Sequence, residues 1–203
     1  YIFLGVCCLG SLFPIFYAIM GSFKSNMDFI TGVGGLIPLS WHPENYEKAW
    51  SVANFARYSF NSIFVTLCAI IGSTTLTSMA GYVFARGNFP GKKTIMGMFL
   101  ATMFLATGAI TIYPIFSLAK SLRLNTSLWG LILIYVFSIN VSNVYLVTGY
   151  VKGLPKEMDE AARMDGCGFF STYLRVILPL CRPILATVAL LTFKITWNDY
   201  LMP

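Results

Sequence analysis

Residues 59–85 read SFNSIFVTLCAIIGSTTLTSMAGYVFA, a run without a single Asp, Glu, Lys or Arg between Arg57 and Arg86. A helix needs roughly 20 apolar residues to cross the hydrocarbon core of a bilayer. Inside lipid the backbone can satisfy its own N–H and C=O groups only as a helix or a closed barrel. The run is long enough to span, and its Gly72, Ser73, Thr74, Thr75, Thr77, Ser78 and Gly81 are small residues of the kind that let helix backbones approach closely in lipid.

The pattern recurs outward from that stretch. Residues 1–23, 94–118 and 128–149 are equally free of formal charge, and a fifth apolar run from Ile184 to Pro203 is interrupted by Lys194 and Asp199. The chain is 57% hydrophobic and 11% charged, against about 25% charged for a soluble domain. A larger core does not close that gap, because a soluble chain of this size still needs a wettable surface. The predicted fold is therefore all-α: one transmembrane domain over 1–203, a polytopic helix bundle with spans at about 1–23, 59–85, 94–118, 128–149 and 184–203. The first run lacks a basic leader and an obvious cleavage site and exceeds the apolar core of a signal peptide, about 7–15 residues. The sequence begins at Tyr1 inside an apolar run and stops at Pro203 in or just after another, so both natural ends are expected to lie outside it.

Charge orients the bundle. Loops at about 86–93 and 150–183 share one side and carry Arg86, Lys92, Lys93, Lys152, Lys156, Arg163, Arg175 and Arg182. The opposite loops, about 24–58 and 119–127, carry Lys24, Lys48, Arg57, Lys120 and Arg123. The excess of cations places the first pair in the cytoplasm. A net charge of +6 is thus explained by loops of a membrane protein, with no basic stripe for nucleic acid.

Several chemistries are excluded. Gly87 to Lys93 is not a phosphate-binding loop: only three residues separate its glycines and a second Lys follows Lys92. His42 is the sole histidine and has no Cys partner nearby. Cys7, Cys8, Cys68, Cys167 and Cys181 show neither metal-ligand spacing nor a disulfide framework. No catalytic residue, metal site or cofactor is expected.

Polar residues inside spans are the candidates for a passage. Asn140 and Asn143 lie three apart on one helical face, suited either to interhelical hydrogen bonds or to the border of a polar path. Trp197, Asn198 and Asp199 offer an aromatic ring and polar groups near the end of the fifth run, where they either line that path or cap and pack the helix. Asp199 lies about 140° around the helix from Lys194, which disfavours a direct pair. A cation at mid-bilayer costs roughly 2.5–3.5 kcal/mol, so Lys194 is expected to face protein or water. Pro114 is expected to kink the third span.

The most informative segment is Gly153 to Pro183, GLPKEMDEAARMDGCGFFSTYLRVILPLCRP. Pro155 suits the first position of a helix, Glu157, Asp159 and Glu160 favour the positive end of its dipole, and Gly166 is placed for a left-handed cap. A second helix is expected from about Gly168 to Leu178, stopped by Pro179. The face of Ala161, Ala162 and Asp165 suits a partner's groove better than lipid.

Here the chain resembles a known family. Glu160-Ala161-Ala162, three residues, Gly166, nine residues, Val176, one residue and Leu178-Pro179 is similar to the EAA loop of binding-protein-dependent ABC importer permeases, with Val where Ile is commoner. Gly153 to Glu157 and Met164 to Gly166 are similar too. Trp41, Asn45-Tyr46, Tyr58, Asn61, Ser62, Ala85-Arg86, Phe89-Pro90-Gly91 and Trp197-Asn198-Asp199-Tyr200 with Pro203 resemble the carbohydrate-importing branch, the maltose and oligosaccharide permeases. Lys194 departs from that pattern, which has an apolar residue there.

The resemblance implies a permease of the type I ABC importer kind, with five of six spans visible, in the bacterial cytoplasmic (inner) membrane. It implies a second permease subunit in a heterodimer, two ABC ATPase subunits and an extracytoplasmic solute-binding protein. Glu160, Ala161, Ala162, Asp165, Gly166, Leu178 and Pro179 would form the loop that couples to the ATPases; the chain itself would bind no ATP. The cargo implied is a sugar or oligosaccharide. The rival readings are another small solute, such as a polyamine or phosphate, or a secondary transporter without ATPases.

Overall fold

Every regular element is a helix in the computed structural model, which describes residues 2–32, 34–52, 54–104, 111–124 and 127–199. By contact density the chain divides into two units, Tyr1–Phe60 and Asn61–Pro203.

The first unit holds α1 (Ile2–Ser22), α2 (Asn26–Thr31) and α3 (Glu44–Val52). The Ser25 side chain caps α2 by accepting from the Asp28 N–H, and Gly32 ends it at φ 70°. The loop then folds back on the end of α1. Asn45 Nδ2 donates to the carbonyls of Ser22 and Lys24 at 3.0 and 2.9 Å. The Phe23 ring packs between Trp41 and Tyr46, 5.2 and 5.5 Å away. Buried Lys24 donates to the Gly35 carbonyl at 2.6 Å. His42 is used locally, its ring against Ser40 Oγ and Glu44 Oε1 at 2.9 and 2.7 Å.

From Asn61 on, the spine of the second unit is α4 (Phe55–Arg86), 32 residues long and, among the described residues, the one unbroken helix long and apolar enough to cross a membrane. It is followed by α5 (Lys92–Met103), α6 (Ile112–Ser121), α7 (Leu128–Phe137) and α8 (Val141–Gly153). Residues 105–110 of the expected third span lie outside the described residues. Pro114 stands in the first turn of α6, where a missing N–H costs nothing; the described helix carries no mid-helix proline there.

The expected fourth span is two helices, not one. α7 and α8 meet at 48° across Ser138–Asn140. Asn140 is the reason: its backbone is extended and its Oδ1 accepts from the Ser142 N–H at 2.9 Å, an N-cap. Asn140 and Asn143 therefore belong to the mouth of a helix rather than to the middle of one.

Close approach of α4 and α8 builds the core. A Cβ on Gly81 would stand 2.5 Å from Val147 Cγ1 and 2.7 Å from its Cβ, a gap only glycine leaves open. Around that contact Tyr82, Val147, Val151, Tyr173, Ile177, Cys181 and Val188 form one buried cluster.

The segment after α8 is α9 (Glu157–Met164), α10 (Phe169–Thr172), a π turn (Tyr173–Ile177) and α11 (Leu178–Leu180), leading to α12 (Arg182–Trp197). Pro179 does not stop the second loop helix. The Leu178 N–H reaches back five residues to the Tyr173 carbonyl, which widens the turn just ahead of the ring that would otherwise clash with it. The bend comes later, at Cys181, where α10–α11 and α12 meet at 79°.

Candidate functional site

Leu154 is extended, with ψ 142°, as steric contact with a following proline requires, so α9 begins two residues after Pro155. Its first turn carries Glu157, Asp159 and Glu160 and its last Arg163, each at the end of the dipole that favours it. The helix ends in a Schellman motif: the N–H of Gly166 donates to the Arg163 carbonyl at 3.0 Å and that of Cys167 to Ala162 at 2.9 Å. Gly166 sits at φ 78°, and nothing lies within 4 Å of where its Cβ would be. Its glycine is required by backbone conformation, not by space.

The two sides of α9 differ. Asp159 and Ala162, three residues apart, are buried; Glu160, Ala161, Arg163, Met164 and Asp165 are exposed. The expected docking face is thus divided: Ala161 and Asp165 face outward with Glu160, while Ala162 turns toward the protein. The cause is helical phase, since residues 161 and 162 stand about 100° apart. Met164, 88% exposed, adds an apolar side chain to the outward side. Leu178 packs against the buried cluster and Pro179 is exposed at the surface of α11.

The inward side is pinned by a pair the sequence reading missed. Arg86, the last residue of α4, places Nε 2.7 Å from Asp159 Oδ2, with both side chains about nine-tenths buried. Arg86 Nη2 also donates to the Leu154 carbonyl at 2.7 Å. The Nε–carboxylate contact is ionic rather than a well-aimed hydrogen bond, and neither Asp159 oxygen completes another among the described residues. Removing one member of such a buried pair strands the other charge, at a cost of about 3–5 kcal/mol. One turn back on α4, the Tyr82 ring lies 4.6 Å from that of Phe169, and its hydroxyl donates to the Phe169 carbonyl at 3.3 Å. A further turn back, Ser78 Oγ is 2.6 Å from the Tyr173 hydroxyl. The signal was present: Ser78, Tyr82 and Arg86 follow the i, i+4, i+8 spacing of one polar stripe.

The path candidates separate as well. Asn140, Asn143 and Asp199 line one cavity of about 250 Å³, together with Ser73, Tyr135 and Thr196. The Tyr135 hydroxyl donates to Asp199 Oδ2 at 2.8 Å. Trp197 instead stacks on Phe193, ring centroids 5.6 Å apart. Asn198 Nδ2 donates to the Lys194 carbonyl at 2.8 Å, the capping role. Lys194 is exposed on α12, and Tyr200 and Pro203 lie outside the described residues. Among the described residues no three His, Cys, Asp or Glu side chains are grouped to hold a metal ion.

Comparison with known proteins agrees with this architecture. The family described as "Binding-protein-dependent transport system inner membrane component" matches residues 77–203. The chain is 32% identical over 201 residues to the probable ABC transporter permease protein YurM of Bacillus subtilis (strain 168), covering 99% of this chain and 66% of that protein. It is 34% identical over 190 residues to the diacetylchitobiose uptake system permease protein NgcG of Streptomyces coelicolor, covering 94% of this chain and 62% of that one. The crystal structure of a bacterial ABC transporter involved in the import of the acidic polysaccharide alginate contains a chain that superposes with a TM-score of 0.82 at 27% identity, covering 98% of this chain and 69% of its own. This chain spans less than two thirds of the length of the first two relatives.

Proposed function

The chain belongs to the family of binding-protein-dependent transport system inner membrane components, and from that premise we propose that it is a permease subunit of an ATP-driven importer, forming half of the translocation path for a sugar or oligosaccharide. The observation that carries the reading is α9: a short soluble helix that holds Glu160, Ala161 and Asp165 outward while its other side is fixed by a buried ion pair. A helix displayed in this way is built for a partner's groove. Its partners are two ATPase subunits below the membrane, a second permease alongside, and an external solute-binding protein that delivers the cargo. The loops at 86–93 and 150–183 face the cytoplasm, and both units of the chain belong to one multi-pass permease domain in the inner membrane. Hydrolysis is the ATPases' work. The carbohydrate cargo is supported by the diacetylchitobiose and alginate systems among the relatives and by the hydroxyl, amide and carboxylate groups of the cavity beside α8.

Purification of the complex from its native membrane tests the class. An ABC ATPase subunit is expected to copurify with this chain, and sugar uptake by proteoliposomes is expected to require ATP and the binding protein. Uptake driven by an ion gradient without ATP would overturn the reading.

The path has its own test. Loss of a hydrogen bond to a charged group costs about 1.5–3 kcal/mol, so Asp199→Ala is expected to lower solute uptake by about tenfold or more, while the ATPases remain bound. Unchanged uptake affinity and rate in an assembled complex would remove Asp199 and its cavity from the path.

A further inference from the structure

A coupling helix must do two things: engage the ATPase and pass its displacement to the membrane. The outward side of α9 serves the first. For the second, α9 needs a stiff connection to an element that continues through the bilayer. Among the described helices α4 alone is long and apolar enough to do so without a break.

We infer that the Ser78–Tyr82–Arg86 stripe of α4 is that connection, with Arg86 and Asp159 as the positioning residues that make α9 and α4 move as one body; this rests on the coupling role proposed for α9. Three successive turns of α4 each hold a different part of the loop. Arg86 holds Asp159 in the first turn of α9 and the Leu154 carbonyl at the end of α8. Tyr82 holds the start of α10 through the Phe169 ring and carbonyl. Ser78 holds the Tyr173 hydroxyl, the first residue of the π turn. The planar guanidinium fork is suited to bridging two acceptors at fixed angles, which a lysine's point charge is not. Asp159 sits on the face of α9 opposite the docking residues, so it can hold the helix without contacting the ATPase. The arrangement lets a push on Ala161 or Asp165 reach α4 directly, instead of dissipating in the loop between α8 and α10.

The test uses the whole complex, permease pair, ATPases and binding protein, in proteoliposomes. The readout is solute taken up per ATP hydrolysed, beside the amount of ATPase bound. Asp159→Asn keeps the side-chain volume and removes the charge; it is expected to lower uptake per ATP about tenfold, within the usual range of coupling between sites. Asp159→Glu is expected to recover most of the loss. Ser78→Ala, which removes a hydroxyl and little volume, is expected to lower the ratio about threefold. If Asp159→Asn fails to assemble, Ser78→Ala decides: a lowered ratio supports the stripe and an unchanged one overturns it. Wild-type ratios in both assembled variants would also overturn it. That result is distinct from failure of the coupling role itself, which would show as normal ATPase binding and uptake in Ala161→Trp.

Discussion

Ala161→Trp is expected to abolish binding-protein-dependent uptake and to release the ATPase subunits, while the permease still inserts and pairs with its partner. The side chain of Ala161 is exposed on the outward side of α9, so an indole there projects away from the buried contacts that hold the loop. On the coupling role proposed for α9, the same position enters a partner's groove, and overfilling a packed interface costs about 1–3 kcal/mol even where neighbours can yield. A matched change at Gly166 attacks the same contact from the backbone. Its φ of 78° is closed to proline, whose ring fixes φ near −65°. Proline would also delete the N–H that donates to Arg163. Gly166→Ala, with free space for its methyl group, is the milder control and costs about 1 kcal/mol through conformation alone. The measurement is ATPase copurification alongside uptake in vesicles. Wild-type transport with intact ATPase assembly in both Ala161→Trp and Gly166→Pro would remove α9 from the coupling pathway.

The two halves of that argument were not equally legible in the sequence. Helix α9 was, because its signals are local: acids at the start, alanines within, glycine after the end. The Schellman cap at Gly166 follows from those signals directly. What holds the helix in place was not, because Arg86 and Asp159 are far apart in sequence and each had a sufficient local explanation. Arg86 reads as a cytoplasmic flanking charge and Asp159 as a dipole-favoured acid, and nothing short of tertiary structure joins them. Ala162 shows the same limit. Composition makes it a good docking residue, and only the phase of the helix against α4 turns it inward.

Within the spans, hydropathy reports desolvation and little else. It marks 128–149 as one apolar run, since neither Ser138 nor Asn140 carries charge. The break is encoded in the capping ability of a single asparagine, which competes with interhelical bonding as an explanation for any Asn in lipid. Pro179 misleads in the opposite direction. A proline predicts a stop, yet one extra residue per turn ahead of it lets the helix continue to Leu180. The path candidates were identified by residue type alone, and type does not say which way a side chain points. Asn140, Asn143 and Asp199 meet at one cavity, whereas Asn198 turns back to cap its own helix.

Gly81→Leu is expected to prevent formation of the folded permease, with loss of the protein from the membrane fraction after mild detergent extraction. The reason lies in the spacing of α4 and α8. Even a methyl group at residue 81 would approach Val147 Cγ1 to 2.5 Å and the Thr148 nitrogen to 3.3 Å. Val147 is fully buried in the cluster that also holds Tyr82 and Val151, so it has no open space to move into. Gly81→Ala alone therefore forces the helices apart, at about 1–3 kcal/mol, and the separation is felt at Tyr82, the next residue, and at Arg86, in the following turn. Close packing of small residues is the main attraction between helices in lipid, where apolar burial supplies no preference for a neighbour over a hydrocarbon tail. That makes the clash separable from a general intolerance of change. Val147→Ala removes the Cγ1 methyl nearest the new Cβ but keeps the Val147 Cβ, 2.7 Å away, so it is expected to cost stability by itself yet to restore part of the stability lost in Gly81→Ala. Two residues in contact should show a favourable interaction of about 0.5–3 kcal/mol in the double-mutant cycle, read as the shift in thermal denaturation of the purified protein. Strict additivity of the two substitutions would mean that α4 and α8 do not meet at residues 81 and 147, and the packing that holds α9 and α10 to α4 would have to be redrawn.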